Sequence, residues 1–307
     1  MKTYIGWVHG LRPWKEHSWA AQLQGLCVNY YEFKKRPKAL QQIQRDGISS
    51  YLEFDGEILL DSGAYPAWKS GIFLSVDELA GFYELIEKTE PEILKVNLDV
   101  LEDGASGKRS WQNYCYLRDR GLTVLPVIHV GEPIHGYPDA DWLGIGGAVP
   151  VIRTLSGKRR FLQFIMALKK ERKCKLHIFG VAGPTMIPAL EALGVDSGDW
   201  MGWRISASMG SVQLPTRQVH ITDRPADKWS KNIRTSEINE FIEPSPFSIK
   251  DLKTNFVARA LFNLWICQEC AQGRFSVSNR WTNMLADIDE ALQADPKNSN
   301  GIFVKSG

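Results

Sequence analysis

The residues best placed to do chemistry are three aspartates that follow short apolar runs: Asp61 after EILL, Asp99 after KVNL and Asp196 within GVDSGDW. Carboxylates in such positions move protons, accept hydrogen bonds from a polar ligand edge, or attack an electrophilic carbon. A single aspartate after a strand has an ordinary reading, as a cap on the next helix or the opening of a turn. Three of them converging on one mouth call for more than that. Ser62, Gly63 and Tyr65 follow at once in DSGAY, where glycine admits a ligand close to the backbone and the tyrosine offers a flat face. His129 closes LPVIH, His177 lies in LHIFG, and Gly146 and Gly147 close LGIGG. Bare N–H groups on such a glycine turn suit a carbonyl oxygen or a phosphate, although a tight connection between elements explains the glycines equally well.

The elements that must position these groups alternate. Strands are expected at Glu57–Asp61, Ile93–Asp99, Thr123–His129, Trp142–Gly146, Lys175–Gly180 and Gly194–Trp200, with helices at Ser75–Lys88, Ser110–Asp119, Lys158–Glu171 and Thr185–Leu193. Ser75 followed by Glu78 forms a capping box. Alternating strand and helix segments at this spacing imply parallel strands joined by right-handed crossovers. Six in a row favour a closed (β/α)8 TIM-type barrel over an open doubly wound sheet, and a closed barrel gathers the strand C-termini on one face. The first 55 residues are less regular, with strands expected near Tyr4–Val8 and Leu26–Tyr31 and a helix at Lys38–Arg45. The expected organisation is one domain over 1–307, with a barrel core at about 55–225 and a C-terminal helical region at about 245–295. Within it, Asp223–Glu243 reads as a polar loop over one barrel end, and Phe256–Cys270 as an apolar helix against the barrel wall.

Composition narrows the partners. A formal net charge of +2 gives no global field to draw in a polyanion, so any nucleic-acid surface must be local. Its candidates are Lys34-Lys35-Arg36, Lys158-Arg159-Arg160, Lys169-Lys170-Arg172 and Arg204, with Trp200 and Trp203 as possible flanks for a nucleotide. The N-terminal MKTYIGWVHGLRPWKEH does not read as a secretory signal, and no apolar stretch is long enough to span a bilayer. Five scattered cysteines fit reduced thiols in a cytoplasmic protein without a membrane partner.

In sequence order, LLDSGAY, NLD, PVIHVGEP, LGIGGAV, LHIFGVAGP and GVDSGDW resemble segments of the queuine/tRNA-guanine transglycosylase superfamily over roughly residues 55–215, and most closely its DpdA-type DNA 7-deazaguanine transglycosylases. The resemblance implies base exchange through a covalent aspartyl–sugar intermediate. Asp61 would be the general acid/base, Asp99 the reader of the guanine edge, and Tyr65 the stacking aromatic. Ser62, Gly63, His129, Gly146, Gly147 and His177 would line the base, and Arg204, Trp200 and Trp203 would meet the nucleic acid. Asp196 is the expected nucleophile on the DS-x-x-W pattern, whereas the family's G-x-D-x-x-D-C spacing would select Asp199. Carboxylate attack on C1′ suits an oxocarbenium-like transition state, as in retaining glycosidases.

The tRNA enzymes carry a zinc module near the C-terminus. Here only Cys267 and Cys270 stand in that region, in CQEC within an apolar helical stretch, too few for a structural zinc site. No cofactor is therefore expected. The preferred partners are DNA and a 7-deazaguanine base resembling preQ0, with accessory DNA-modification proteins conceivable. The alternatives are tRNA as substrate, a non-catalytic nucleic-acid-binding subunit, and a carbohydrate-active barrel using Asp61 and Asp196.

Overall fold

The computed structural model describes residues 1–7, 9–102, 107–134, 140–222, 231–232, 236–275 and 278–294. Nine parallel strands wrap into a nearly closed barrel: β1 (Lys2–Gly6), β2 (Gly25–Asn29), β3 (Glu57–Asp61), β4 (Leu94–Val96), β5 (Val124–Leu125), β6 (Val127–His129), β7 (Trp142–Gly146), β8 (Lys175–Ile178) and β9 (Ser197–Trp200). Their order around the wall is β5-β4-β3-β2-β1-β9-β8-β7-β6. The seam falls at Pro126, which has no N–H to give to a ladder and so splits one strand into β5 and β6. Both halves stay tied to their neighbours, because Asn97 N donates to Leu125 O at 2.9 Å and Gly144 N to Pro126 O at 2.8 Å. Taking β5 and β6 as one interrupted strand leaves eight staves, the TIM-type count.

Alternation along the strands sorts side chains between two compartments. Tyr4, Leu59, Val96, Leu125 and Val127 fill the barrel interior. The outward residues, such as Leu26, Val28, Ile58, Leu60, Ile145 and Ile178, pack under the surrounding helices. Those helices are specified locally. Asn29 accepts from Glu32 N, Thr154 from Gly157 N and Ser75 from Glu78 N, each satisfying an amide that a helix start leaves unpaired.

The barrel begins earlier in the chain than the periodicity indicates. β1 pairs with both β2 and β9, so residues 2–29 form part of the wall and the strand set spans 2–200, not about 55–225. The expected strand at Tyr4–Val8 is seen as Lys2–Gly6, and Val8 lies outside the described residues. After β9 the chain forms a small sheet of β10 (Ser211–Gln213), β11 (Gln218–His220) and β12 (Lys231–Asn232). Of the expected polar loop at Asp223–Glu243, residues 223–230 and 233–235 lie outside the described residues, and Ser236–Ile242 is a helix. The apolar helix is present at Phe256–Ala271, with Asn263 bridging Gln213 N (2.7 Å) and Trp203 O (2.8 Å). No helix among the described residues is long and apolar enough to cross a membrane.

Candidate active site

Asp61 ends β3 at the C-terminal mouth. Its Oδ2 accepts from Gly63 N at 3.0 Å in a turn that needs a glycine, because Gly63 has φ +81° and a Cβ there would lie 2.6 Å from Tyr31 Cβ. Burial, reinforced by the charges of Asp99 and Asp199, raises the Asp61 carboxyl from 3.8 to about 8. Asp61 is therefore predominantly protonated at neutral pH, a carboxylic acid with a proton to give. Ser62 is fully buried and its Oγ accepts from Ala64 N at 3.3 Å, so it shapes the turn.

Asp99 lies just beyond β4 and meets a histidine from across the seam. Its Oδ2 is 2.8 Å from His129 Nε2. On the other side of the ring, His129 Nδ1 is 3.4 Å from Glu132 Oε1, while Glu132 Oε2 accepts from His129 N at 3.0 Å. Burial works against a charge on the imidazole, but the hydrogen bonds to Asp99 and Glu132 outweigh it and raise His129 from 6.5 to about 10. An imidazolium thus sits between two carboxylates, aiming one of them, Asp99, at the mouth. Gly146 makes room for it, since a Cβ there would fall 2.8 Å from His129 Cδ2. Packing against His129 is sufficient reason for that glycine, and Gly147, at φ +66°, turns the chain into the short helix Ala148–Val151. Glu132 escaped the sequence reading. A carboxylate three residues after a strand-closing histidine was the available signal.

The two aspartates of GVDSGDW separate completely. Asp199, on β9, is buried, and its Oδ1 accepts from Gly180 N at 2.9 Å and lies 3.4 Å from His177 Nε2. Gly180 follows the C-terminal end of β8, and Asp199 is close enough to Asp61 to raise it. Asp196 precedes β9 at the opposite end. Its Oδ2 accepts from Lys169 Nζ at 2.9 Å and from Leu176 N at 2.8 Å, near the start of β8. The expectation that Asp61, Asp99 and Asp196 share one cavity is corrected: Asp196 lies at the other end of the barrel, and Asp199 is the aspartate whose charge, with that of Asp99, acts on Asp61. Strand geometry gives the reason, because residues an odd number apart face opposite sides. Ser197 and Asp199 both reach His177 inside the barrel, whereas Asp196 turns outward to Lys169.

His177 is buried between Ser197 Oγ (2.9 Å) and the rings of Tyr4 and Phe179, so it supports Asp199 from below and does not line the open mouth. Tyr65 is half-buried at the mouth on the helix Ala64–Lys69, its ring 6.2 Å from that of Trp68. Arg204 is exposed on Gly202–Ser208, the helix that follows β9. Trp200 and Trp203 do not form a nucleotide clamp. Trp200 is buried against Gly183 and Gly202, and Trp203 is 2% exposed with Nε1 donating to Gly6 O at 3.1 Å. Several residues of the basic runs also have internal partners: Lys34 with Glu78, Lys35 and Arg36 with Glu32, Lys169 with Asp196 and Lys158 over the Trp281 ring. Cys267 and Cys270 are buried in the Phe256–Ala271 helix, where burial holds both thiols protonated, with Cys270 raised to about 12.

Fold and geometry together define an α/β barrel with a cluster of carboxylates at its C-terminal mouth. No family model matches the chain. It is similar to proteins named tRNA-guanine(15) transglycosylase: 22% identical over 240 residues to that of Nanoarchaeum equitans, covering 69% of this chain and 55% of the relative. The corresponding protein of Thermococcus onnurineus is 21% identical over 298 residues, covering 89% and 49%, and that of Picrophilus torridus 26% over 189 residues, covering 57% and 30%. These distant homologues support a place in the queuine/tRNA-guanine transglycosylase superfamily, and nothing in them singles out the DpdA-type branch. The chain spans from about a third to just over half of the length of the curated relatives it matches.

Proposed function

We propose that the protein exchanges guanine for another purine base in a nucleic acid, with tRNA as the substrate. The observation that carries this reading is the meeting of Asp61, Asp99 and Asp199 at one mouth, with Asp61 protonated at neutral pH. Asp199 Oδ2 attacks C1′ of the target nucleoside as the C1′–N9 bond breaks, and the bonding pair leaves with the base. Asp61 gives its proton to the departing guanine. A covalent sugar ester on Asp199 remains. The incoming base then surrenders a proton to Asp61, its ring nitrogen attacks C1′, and Asp199 is released. Two displacements retain the configuration at C1′.

Asp99, oriented by the hydrogen bond with His129, accepts from N1–H and the exocyclic amine of the base. Tyr65 stacks on the extruded base, as base-modifying enzymes require once a nucleotide has left its helix. Three acidic groups would repel one another if all were charged. The proton on Asp61 and the imidazolium of His129 relieve that repulsion. A 7-deazaguanine such as preQ0 is compatible with the same contacts, because they read the N1 edge and leave position 7 unspecified.

The preference for tRNA rests on the relatives' names, whereas the sequence patterns alone lean toward DNA. The test is to incubate the protein with radiolabelled guanine and either unmodified tRNA or duplex DNA. Label is expected in the tRNA. Label in DNA alone would reverse the choice of nucleic acid, and label in neither, with added preQ0 also left unincorporated, would remove the base-exchange reading.

A further inference from the structure

Beside Asp99 the rim of the barrel opens into a cavity of about 330 Å³ lined by Ala64, Trp68, Phe73, Leu98, Asp99 and Arg109 among others, Asp61 and Asp199 not being part of its lining. It lies between the Ala64–Lys69 helix with the loop after it and the start of the Lys108–Asp119 helix. The volume is at the lower end of what small-ligand pockets offer, enough for one nucleobase and part of its sugar. The chemistry of its walls points the same way. Phe73 is 77% exposed and Trp68 45%, a large apolar surface to leave open to water beside a polar site. Trp68 is held in place, since its Nε1 donates to Glu102 Oε1 at 2.8 Å, and its ring stands 6.2 Å from Tyr65. A fixed aromatic face loses little freedom on binding a flat ligand. Lys69, Lys108 and Arg109 are exposed on the two elements that frame the opening.

We propose that this cavity is a subsite for the unpaired nucleotide next to the one exchanged, its base against Trp68 and Phe73 and its phosphate toward Arg109. This rests on the base-exchange reading for the identity of the neighbouring pocket, but not for the stacking itself. Stacking on aromatic side chains is tolerant of base identity, and the cationic rim adds a salt-dependent contribution. One consequence is that the protein takes its substrate as an opened strand, with at least two adjacent nucleotides out of their stack.

The decisive experiment uses the full chain and a fluorescein-labelled, guanine-free single-stranded RNA 12-mer, read by fluorescence anisotropy, with calorimetric binding of free guanine measured on the same samples. Trp68→Ala and Phe73→Ala should each weaken the oligonucleotide about tenfold, while guanine affinity stays at the wild-type value and Trp68→Phe recovers most of the loss. Arg109→Gln should reduce the slope of log affinity against log salt by about one. Wild-type oligonucleotide affinity in the Trp68→Ala/Phe73→Ala double variant, or no oligonucleotide binding by the wild type, overturns the subsite. Failure of the wild type to bind guanine while the oligonucleotide result holds overturns the base-exchange reading and leaves the stacking subsite standing.

Discussion

The two ends of β9 carry the same residue type in opposite circumstances. At the N-terminal end, Asp196 is neutralised by Lys169 and by the amide of Leu176. Nearby, Lys2 pairs with Glu57 and the N-terminal amine with Glu191 at 2.7 Å. These three carboxylates are each paired with a cation, as expected of the face of a barrel that serves stability. At the C-terminal end, the charges of Asp99 and Asp199 both bear on Asp61, and the charge on His129 is committed to Asp99 and Glu132. A cluster of like charges in a low-dielectric mouth costs stability and shifts proton affinities, which is the signature of a place where carboxylates react. Three residues of chain separate the two conditions.

The largest effect that would break this contrast is at Asp199. Asp199→Asn should lower base exchange by about 10³-fold or more in single-turnover assays, whereas Asp196→Asn should leave the rate within about twofold. Equal losses in both variants would erase the distinction between the ends.

Next comes Asp61. Asp61→Asn should cost about 10²–10⁴-fold in rate, the usual weight of a general acid. In the wild type the rate of base departure should fall as pH rises through about 8, where Asp61 loses its proton. Stability should move the other way in the variant. A carboxyl raised from 3.8 to about 8 binds its proton more tightly when folded, so the protein loses stability as pH climbs between those values. Removing the ionisable group should raise the melting temperature at pH 8 by a few degrees, and an unchanged or lowered value would argue against a strained site.

Smaller effects belong to the groups around Asp99. His129→Gln and Glu132→Gln should raise the KM for free guanine about tenfold and about threefold, from loss of the charge-assisted bond and of its support. The folded state gains from the His129 charge fully below about pH 6.5 and loses that gain as pH rises through about 10. Guanine affinity should therefore fall in the same upper range. The smallest expected change is in Asp196→Asn, about 1 kcal/mol of stability by chemical denaturation, since its ion pair is partly open to water.

Much of the barrel was legible because strands and helices alternate and the strand runs are apolar. DSGAY was legible because the turn has a glycine where φ must be positive, and KVNLD because a carboxylate closes an apolar run. Other parts needed the fold. β1 and β2 are five residues each and separated by irregular chain, so their places beside β9 and β3 follow from pairing across the sequence. The union of Asp99 with His129 and Glu132 depends on closure of the seam at Pro126, which no local pattern encodes. The choice between Asp196 and Asp199 was within reach, since period-two alternation in SGDW puts Asp199 with Ser197 on one face. Pattern matching over five residues concealed that. For Trp200 and Trp203 the sequence leaves a nucleotide flank and core packing equally open, because it does not say which side of a helix start meets the Phe256–Ala271 helix.

The central claim is that Asp199, and not Asp196, is the carboxylate that holds the sugar. The direct test is to quench the reaction of unmodified tRNA with wild type, Asp196→Asn and Asp199→Asn under denaturing conditions and look for protein covalently joined to the nucleic acid. Adduct is expected in the wild type and in Asp196→Asn, mapped by mass spectrometry to the peptide containing Asp199, and absent in Asp199→Asn. Adduct that persists in Asp199→Asn and disappears in Asp196→Asn would contradict the account.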